Sequence, residues 1–124
     1  MPLPRASARE LMARQVVAHA LAALPDNLRT EAEQCCIELC ERRTCGDETL
    51  DDDLLGLFEG NARSDPPPQE PAELPRIRLF LDNLWDYAEG DVQLYRDEVR
   101  TTFLHELGHF LGLDEDGVEA LGLA

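Results

Sequence analysis

Two histidines and a glutamate stand close together near the end of the chain, in the segment HELGH at positions 105–109. On an α-helix, residues four apart differ by about 40° around the axis and by about one turn along it. The imidazoles of His105 and His109 can therefore converge on one metal ion from the same side. Glu106 lies about 100° from His105 and can reach a water molecule beside that ion. This HExxH pattern predicts a zinc site that performs hydrolysis.

Two histidines leave a divalent ion short of protein ligands, so a third ligand is expected nearby. Glu115 lies ten residues after His105, where the extended motif HExxHxxGxx(H) places its third ligand. Gly112 permits the sharp turn that this arrangement requires, and a carboxylate oxygen is an acceptable zinc ligand. Asp114 and Asp116 flank Glu115, and spacing alone leaves the choice among the three open. A solvated acidic turn is the alternative interpretation of this triplet.

Together these residues predict metal-assisted hydrolysis of a peptide bond. A zinc ion held in this way lowers the pKa of its bound water towards about 7. Glu106 accepts the proton of that water, hydroxide attacks a carbonyl that the metal polarises, and Glu106 passes the proton to the leaving amine. Substrate peptides commonly bind in extended form beside an edge strand. The segment Arg76–Asp82 is our candidate for that strand.

The histidines need a helix to hold them, and Asp91–Gly112 is predicted to be the longest helix of the chain. Apolar side chains recur there on one stripe that faces the core. The stripe consists of Val92, Tyr95, Val99, Phe103, Leu107 and Phe110. Its centre lies well away from His105, so the histidines can face a cleft while the rest of the helix is buried. Glu106 falls towards the edge of the stripe and is expected to be partly buried.

The remaining elements follow from local patterning. The predicted helical segments are Ser7–Leu24, Asp26–Gln34, Asp51–Phe58 and Asn83–Gly90, with a short closing helix after an acidic turn that begins at Asp114. The predicted strands are Cys35–Arg42 and Arg76–Asp82, and the proline-rich segment Gly60–Pro75 is predicted to be a surface loop. Trp85 and Tyr87 are expected to anchor the core. Strands with helices segregated around them favour an α+β fold, and 124 residues suit a single domain over 1–124.

The charge and hydropathy of the chain limit which kinds of partner it is expected to bind and where in the cell it is expected to be. Eleven arginine and lysine residues against 26 acidic residues leave a net charge of −15. Such a surface repels phosphate groups, so neither nucleic acid nor an anionic membrane is expected to bind. No stretch approaches the roughly 18–20 apolar residues of a spanning helix, and charges interrupt the N-terminal segment where a secretory signal would lie. We expect a cytoplasmic protein that is a monomer rather than an oligomer.

The four cysteines lie within eleven residues, at positions 35, 36, 40 and 45. Their spacing matches no common zinc pattern, and in a reducing compartment they are expected to be thiols. Cys35 is expected in the core and Cys45 in a loop. The third histidine, His19, stands alone on the first predicted helix and is expected to be a structural or surface residue.

The segment HELGHFLGLDEDGVEALGL resembles the C-terminal signature of the minimal zincin family, small bacterial proteins assigned as zinc metallopeptidases from this motif. LAALPDNL, LLGLFEG, RIRLFLDNL and DEVRTTFLHELGHFLGL follow the order of the family, so the resemblance covers most of the chain from about Leu21. It implies a small α+β zincin-like domain in which the active-site helix packs on a small mixed sheet with flanking helices. His105 and His109 match its metal ligands and Glu106 its general base, whereas Glu115 stands where the family more often has Asp.

The leading hypothesis is therefore a peptidase that uses one Zn²⁺ ion and acts on a peptide or protein substrate. One alternative is a catalytically silent zincin-like module that binds metal or peptide and serves as an interaction or regulatory protein. A second alternative is an acidic interaction module whose histidines bind no metal and whose charge attracts a basic partner. The intact Glu106 favours an enzyme, and the open question of the third ligand favours a silent module.

Overall fold

The computed structural model describes residues 8–40, 54–60 and 75–112. These ranges contain helices α1 (Ala8–Ala22), α2 (Asp26–Ala32), α3 (Leu81–Tyr87) and α4 (Val92–Leu111), and strands β1 (Cys36–Cys40), β2 (Gly56–Glu59) and β3 (Arg76–Phe80). Helices around a small mixed sheet confirm the predicted α+β class. The predicted cap at Ser7, the body of the proline-rich loop and the closing helix lie outside the described residues. No helix in the described part of the chain is long and apolar enough to cross a membrane.

The sheet has the strand order β1-β3-β2, with β1 parallel and β2 antiparallel to β3. Because β3 is paired on both sides, it is the middle strand, and the prediction that Arg76–Asp82 is a substrate-binding edge strand is wrong. Its alternating pattern is nevertheless as predicted, since Ile77 and Leu79 are completely buried. The strand ends at Phe80, and Leu81 already begins α3.

The segment Asp51–Phe58, predicted to be helical, instead contributes to the strand β2, which begins at Gly56. An apolar run as short as LLGLF is compatible with either structure, because it is too short for its periodicity to decide. Pairing with β3 decides it, since Gly56 lies opposite Leu79 and Phe58 opposite Ile77. Residues 51–53 lie outside the described part of the chain.

Helix α4 begins and ends where the sequence predicts. The side chain of Asp91 accepts a hydrogen bond of 2.9 Å from the main-chain N–H of Leu94, which satisfies one of the free donors of the first turn. At the other end Gly112 adopts a left-handed conformation with φ 73°, a backbone state that glycine takes without steric cost. All members of the predicted stripe are buried except Val92, which is 51% exposed because the first turn extends beyond the core.

Polar contacts join α1, α3 and α4 at one end of the molecule. The Tyr95 hydroxyl donates to the main-chain oxygen of Arg9 at 2.8 Å. The Arg9 guanidinium pairs with Asp82 at 3.0 Å and lies 5.9 Å from the centre of the Trp85 ring. Trp85 packs edge-on against Tyr95, which supports its predicted role as a core anchor. Tyr87 is 62% exposed, so the same prediction is wrong for that residue, which lies at the end of α3.

The described cysteines differ in state. Cys35 is buried in the core, as predicted, and Cys35 and Cys36 are free. Burial, and secondarily the neighbouring Cys36, raises the pKa of the Cys35 thiol to about 12. Cys40 is disulfide-bonded, so the expectation that it is a thiol, which rested on a predicted reducing compartment, is wrong. Cys45 and the partner of this bond lie outside the described residues.

Candidate metal centre

The last turns of α4 carry the residues of the HExxH pattern. His105, Glu106 and His109 each offer one ligand atom, and these atoms all lie within 4.8 Å of one another. The two imidazole rings lie with their centres 5.0 Å apart and are nearly perpendicular, at 84°. Both histidines are exposed and Glu106 is half-buried. The structure therefore brings together the three side chains that helical geometry alone places on one side.

Packing on the opposite side of α4 orients these residues. Phe103, Leu107 and Phe110 are at most 2% exposed. They lie in the same apolar core as Ile77 and Leu79 of the middle strand. Burying the apolar stripe against α1 and the sheet sets the rotation of the helix, and the histidines then face outward. The ligand positions are thus a consequence of core packing elsewhere on the same helix.

Strand β2 runs beside the side of α4 that carries Glu106. Thr102, Glu106 and Phe110 form a row along α4 at intervals of four residues. At one end of this row, a Cβ atom placed on Gly56 would lie 2.6 Å from Cγ2 of Thr102. At the other end, the rings of Phe58 and Phe110 lie 6.1 Å apart. Glu106 lies between these two contacts, which accounts for its half-buried state.

The sequence interpretation missed β2 as a neighbour of the site. The signal that pointed to it is Gly56 inside an otherwise apolar run, because a glycine in a strand often marks a close approach of another element. Here α4 is the element that approaches, and the space beside Gly56 holds the methyl group of Thr102. Any larger residue at this position has to displace the Thr102 side chain, the helix or the strand.

The predicted third ligand, Glu115, and its alternatives Asp114 and Asp116 lie outside the described residues. The structure does describe how α4 ends before them. The main-chain N–H of Gly112 donates to the oxygen of His109 at 3.2 Å, and its left-handed backbone turns the chain away from the helix axis. Glu115 therefore stays the predicted ligand on the grounds of spacing.

The donor chemistry suits zinc. Two imidazoles within reach of one point are ligands that Zn²⁺ accepts in catalytic sites, and a site with few protein ligands leaves room for a water molecule. The neighbouring carboxylate of Glu106 can act on that water without ligating the ion. Among the described residues, this is the one group of three or more histidine, cysteine or acidic side chains close enough to hold a metal ion. The residues present therefore fit the ion that the motif implies.

Comparison with known proteins agrees with this chemistry. A family model described as "Zincin-like metallopeptidase" matches residues 37–123. The match covers more than half of the chain and includes nearly all of the sheet and the whole of α4, while α1 and α2 precede it. No curated protein matches the chain.

Proposed function

This chain belongs to the zincin-like metallopeptidase family, and on that basis we propose that it is a zinc-dependent peptidase whose single domain spans residues 1–124. One observation carries the proposal. The ligand atoms of His105, Glu106 and His109 lie within 4.8 Å of one another on the outward side of a helix whose other side is buried. Peptides or proteins are the proposed substrates. The cytoplasmic location and the monomeric state stay predictions.

Each residue of the motif has a separate role in the proposed mechanism. His105 and His109 hold one zinc ion, with Glu115 as the proposed third ligand and Asp114 or Asp116 as its alternatives. When bound, zinc acidifies a coordinated water molecule and polarises the substrate carbonyl. Glu106 acts as the general base: its carboxylate accepts a proton from water and delivers it to the leaving nitrogen of the substrate.

Strand β2 takes the role that the sequence interpretation gave to β3. It is an edge strand of the sheet within the described residues, and it lies beside Glu106. Phe80 donates to the main-chain oxygen of Leu55 at 2.9 Å, and antiparallel pairing alternates, so the main-chain groups of Gly56 and Phe58 point away from β3. An extended substrate can add to that edge by main-chain hydrogen bonds. We propose that the substrate binds there.

The test combines metal analysis with peptide hydrolysis. Wild-type protein is expected to hold one zinc per chain and to cleave members of a peptide library. Glu106→Gln is expected to keep the zinc and lose about 10²–10⁴-fold in turnover, the usual contribution of a general base. Glu98→Gln is the matched control, because Glu98 is a half-buried glutamate two turns earlier on α4. It is expected to leave zinc content and turnover unchanged.

Three results would count against parts of this proposal. Zinc bound at full occupancy with no cleavage of any library member would favour the catalytically silent metal- or peptide-binding module. Turnover that survives Glu106→Gln would show that another group supplies the base. A protein that purifies without zinc and captures a basic partner would favour the acidic interaction module.

A further inference from the structure

A groove of about 270 Å³ opens between α1 and α4, on a different side of α4 from the histidine pair. Its apolar lining, which we call the floor, comes from α1 and the residue just after it, with Val16, Ala20 and Ala23. Its rim carries Arg96 and Arg100 of α4, and His19 of α1 lies on the opposite wall. The groove therefore combines a small apolar surface with a concentration of cationic and hydrogen-bond-donating groups.

The two rim arginines differ from the other arginines that the structure describes. Arg9, Arg14, Arg29, Arg76 and Arg78 each have a carboxylate oxygen within 3.4 Å. Within the described ranges, Arg96 and Arg100 are the arginines without such a partner. Acidic residues outnumber basic residues by 26 to 11 in this chain, so two neighbouring unpaired arginines are unexpected. Their surroundings leave both guanidinium groups available to a ligand.

The geometry directs both arginines to the same place. They are one helical turn apart, both are half-buried, and both line the groove. Asp97 also lines it, but its carboxylate accepts a hydrogen bond of 3.0 Å from the amide of Gln93 rather than pairing with either arginine. Guanidinium groups bind phosphate oxygens through paired, charge-assisted hydrogen bonds, which makes arginine the usual residue for such recognition.

We propose that this groove binds a small molecule that carries a phosphate group on a short apolar body. The phosphate contacts Arg96 and Arg100, with His19 as a further donor, and the apolar body covers Ala20 and Ala23. The net charge of −15 is expected to repel phosphate-rich surfaces, but at this groove two arginines offset it locally. A phosphate dianion balances both arginine charges and uses more of their donors than the two oxygens of a carboxylate can. Arg100 and His105 lie about 140° apart around α4, so the site is separate from the metal centre and does not depend on the peptidase proposal.

Calorimetric titration of the 124-residue chain tests the proposal with three probes: phenyl phosphate, inorganic phosphate and butyrate. Phenyl phosphate is expected to bind saturably with one molecule per chain, and about tenfold or more tighter than the other two, because it satisfies both the arginines and the apolar floor. Arg96→Gln and Arg100→Gln are each expected to weaken it by about tenfold or more. Arg29→Gln is the matched control, since Arg29 is paired with Asp26 on α2.

A second variant distinguishes binding in the groove from non-specific attraction of an anion by the arginine charges. Ala23→Leu adds bulk at the floor and keeps every charge, so it is expected to weaken phenyl phosphate more than inorganic phosphate. Backbone amide spectra are expected to shift around Ala20 and Ala23 and to stay unchanged around His105. The proposal is overturned if the wild-type protein does not bind phenyl phosphate saturably. That result is expected if an acidic segment of the chain already occupies the groove. It is also overturned if the shifts centre on His105 or if Arg29→Gln weakens binding equally.

Discussion

The two sides of α4 near its C-terminal end have opposite surroundings. On one side Phe103, Leu107 and Phe110 are at most 2% exposed and pack in the core. On the other side His105 and His109 are exposed, and the carboxylate of Glu106 lies close to both imidazoles. Each buried apolar side chain contributes about 1.5–3 kcal/mol to folding, whereas an exposed imidazole contributes little. The comparison teaches that the buried side determines where the two histidines, the proposed metal ligands, stand, and that the exposed side determines what they can bind.

The largest expected effect is on the buried side. Phe103→Ala removes a fully buried ring and is expected to lower the free energy of unfolding by about 3–5 kcal/mol. Zinc binding is expected to weaken with it, because the ligand pair depends on the packing of the helix. Urea denaturation of the zinc-free protein measures the loss. Phe103→Leu is the control and is expected to lower the free energy of unfolding clearly less. A loss below about 1 kcal/mol in Phe103→Ala would contradict the importance of the buried side.

The next effect is on the exposed side. His109→Ala is expected to weaken zinc binding by more than about 100-fold, since even an outer-shell partner of a metal ligand is typically worth about 10–100-fold. The free energy of unfolding of the zinc-free protein is expected to change by less than about 0.5 kcal/mol. Competition with a chelating dye measures the affinity. His19→Ala, an exposed histidine on α1, is the control and is expected to leave it unchanged. A large loss of zinc-free stability in His109→Ala would contradict the separation of the two sides.

The boundary between the two sides is the row beside β2. Gly56→Ala places a Cβ atom 2.6 Å from Cγ2 of Thr102 and 3.3 Å from the main-chain oxygen of Arg78, so it is expected to lower the free energy of unfolding by about 1–3 kcal/mol. Thr102→Ser removes the closer of these two atoms. The double variant is expected to recover part of the loss, and a double-mutant cycle measures the coupling. Additive effects of the two substitutions would mean that the strand and the helix do not meet at this point.

The smallest expected effect concerns Cys35, which lies in the same buried core. Burial there raises the pKa of its thiol to about 12. Because the folded protein holds this proton more tightly than the unfolded chain, its contribution to stability is complete below pH 9 and declines as the pH rises towards 12. Unfolding measured at pH 8 and at pH 10.5 shows the decline, and Cys35→Ala is expected to show a smaller one. At pH 8 a thiol reagent is expected to modify the exposed Cys36 before Cys35. Equal modification of both thiols would place Cys35 outside the core.

The sequence predicts α4 closely because the signals of a helix are local. The cap at Asp91, the left-handed end at Gly112 and the apolar stripe each act over one or two turns. The convergence of His105 and His109 follows from the same local geometry. The exceptions are residues at the edge of the fold. Val92 fits its stripe but is 51% exposed in the first turn of the helix.

The sheet could not be predicted fully from local sequence patterns. The alternation of Arg76–Phe80 identifies β3 as a strand with one buried side, but contains no information on how many strands pair with it. β2 is too short for its periodicity to distinguish a strand from a helix. Its strand form depends on pairing with β3, which follows about twenty positions later. The sequence interpretation therefore located a strand correctly but wrongly expected it to be an edge strand.

What the sequence by itself determined is the set of residues on which the proposed chemistry depends and the helix that presents them, because hydrogen bonds between residues four apart set the spacing of imidazoles along α4. Only the tertiary structure decided which strand lies beside Glu106, and which of the described arginines are left without a carboxylate partner. Both depend on contacts between segments far apart in the chain, where the gain from burying side chains and pairing strands exceeds any local preference.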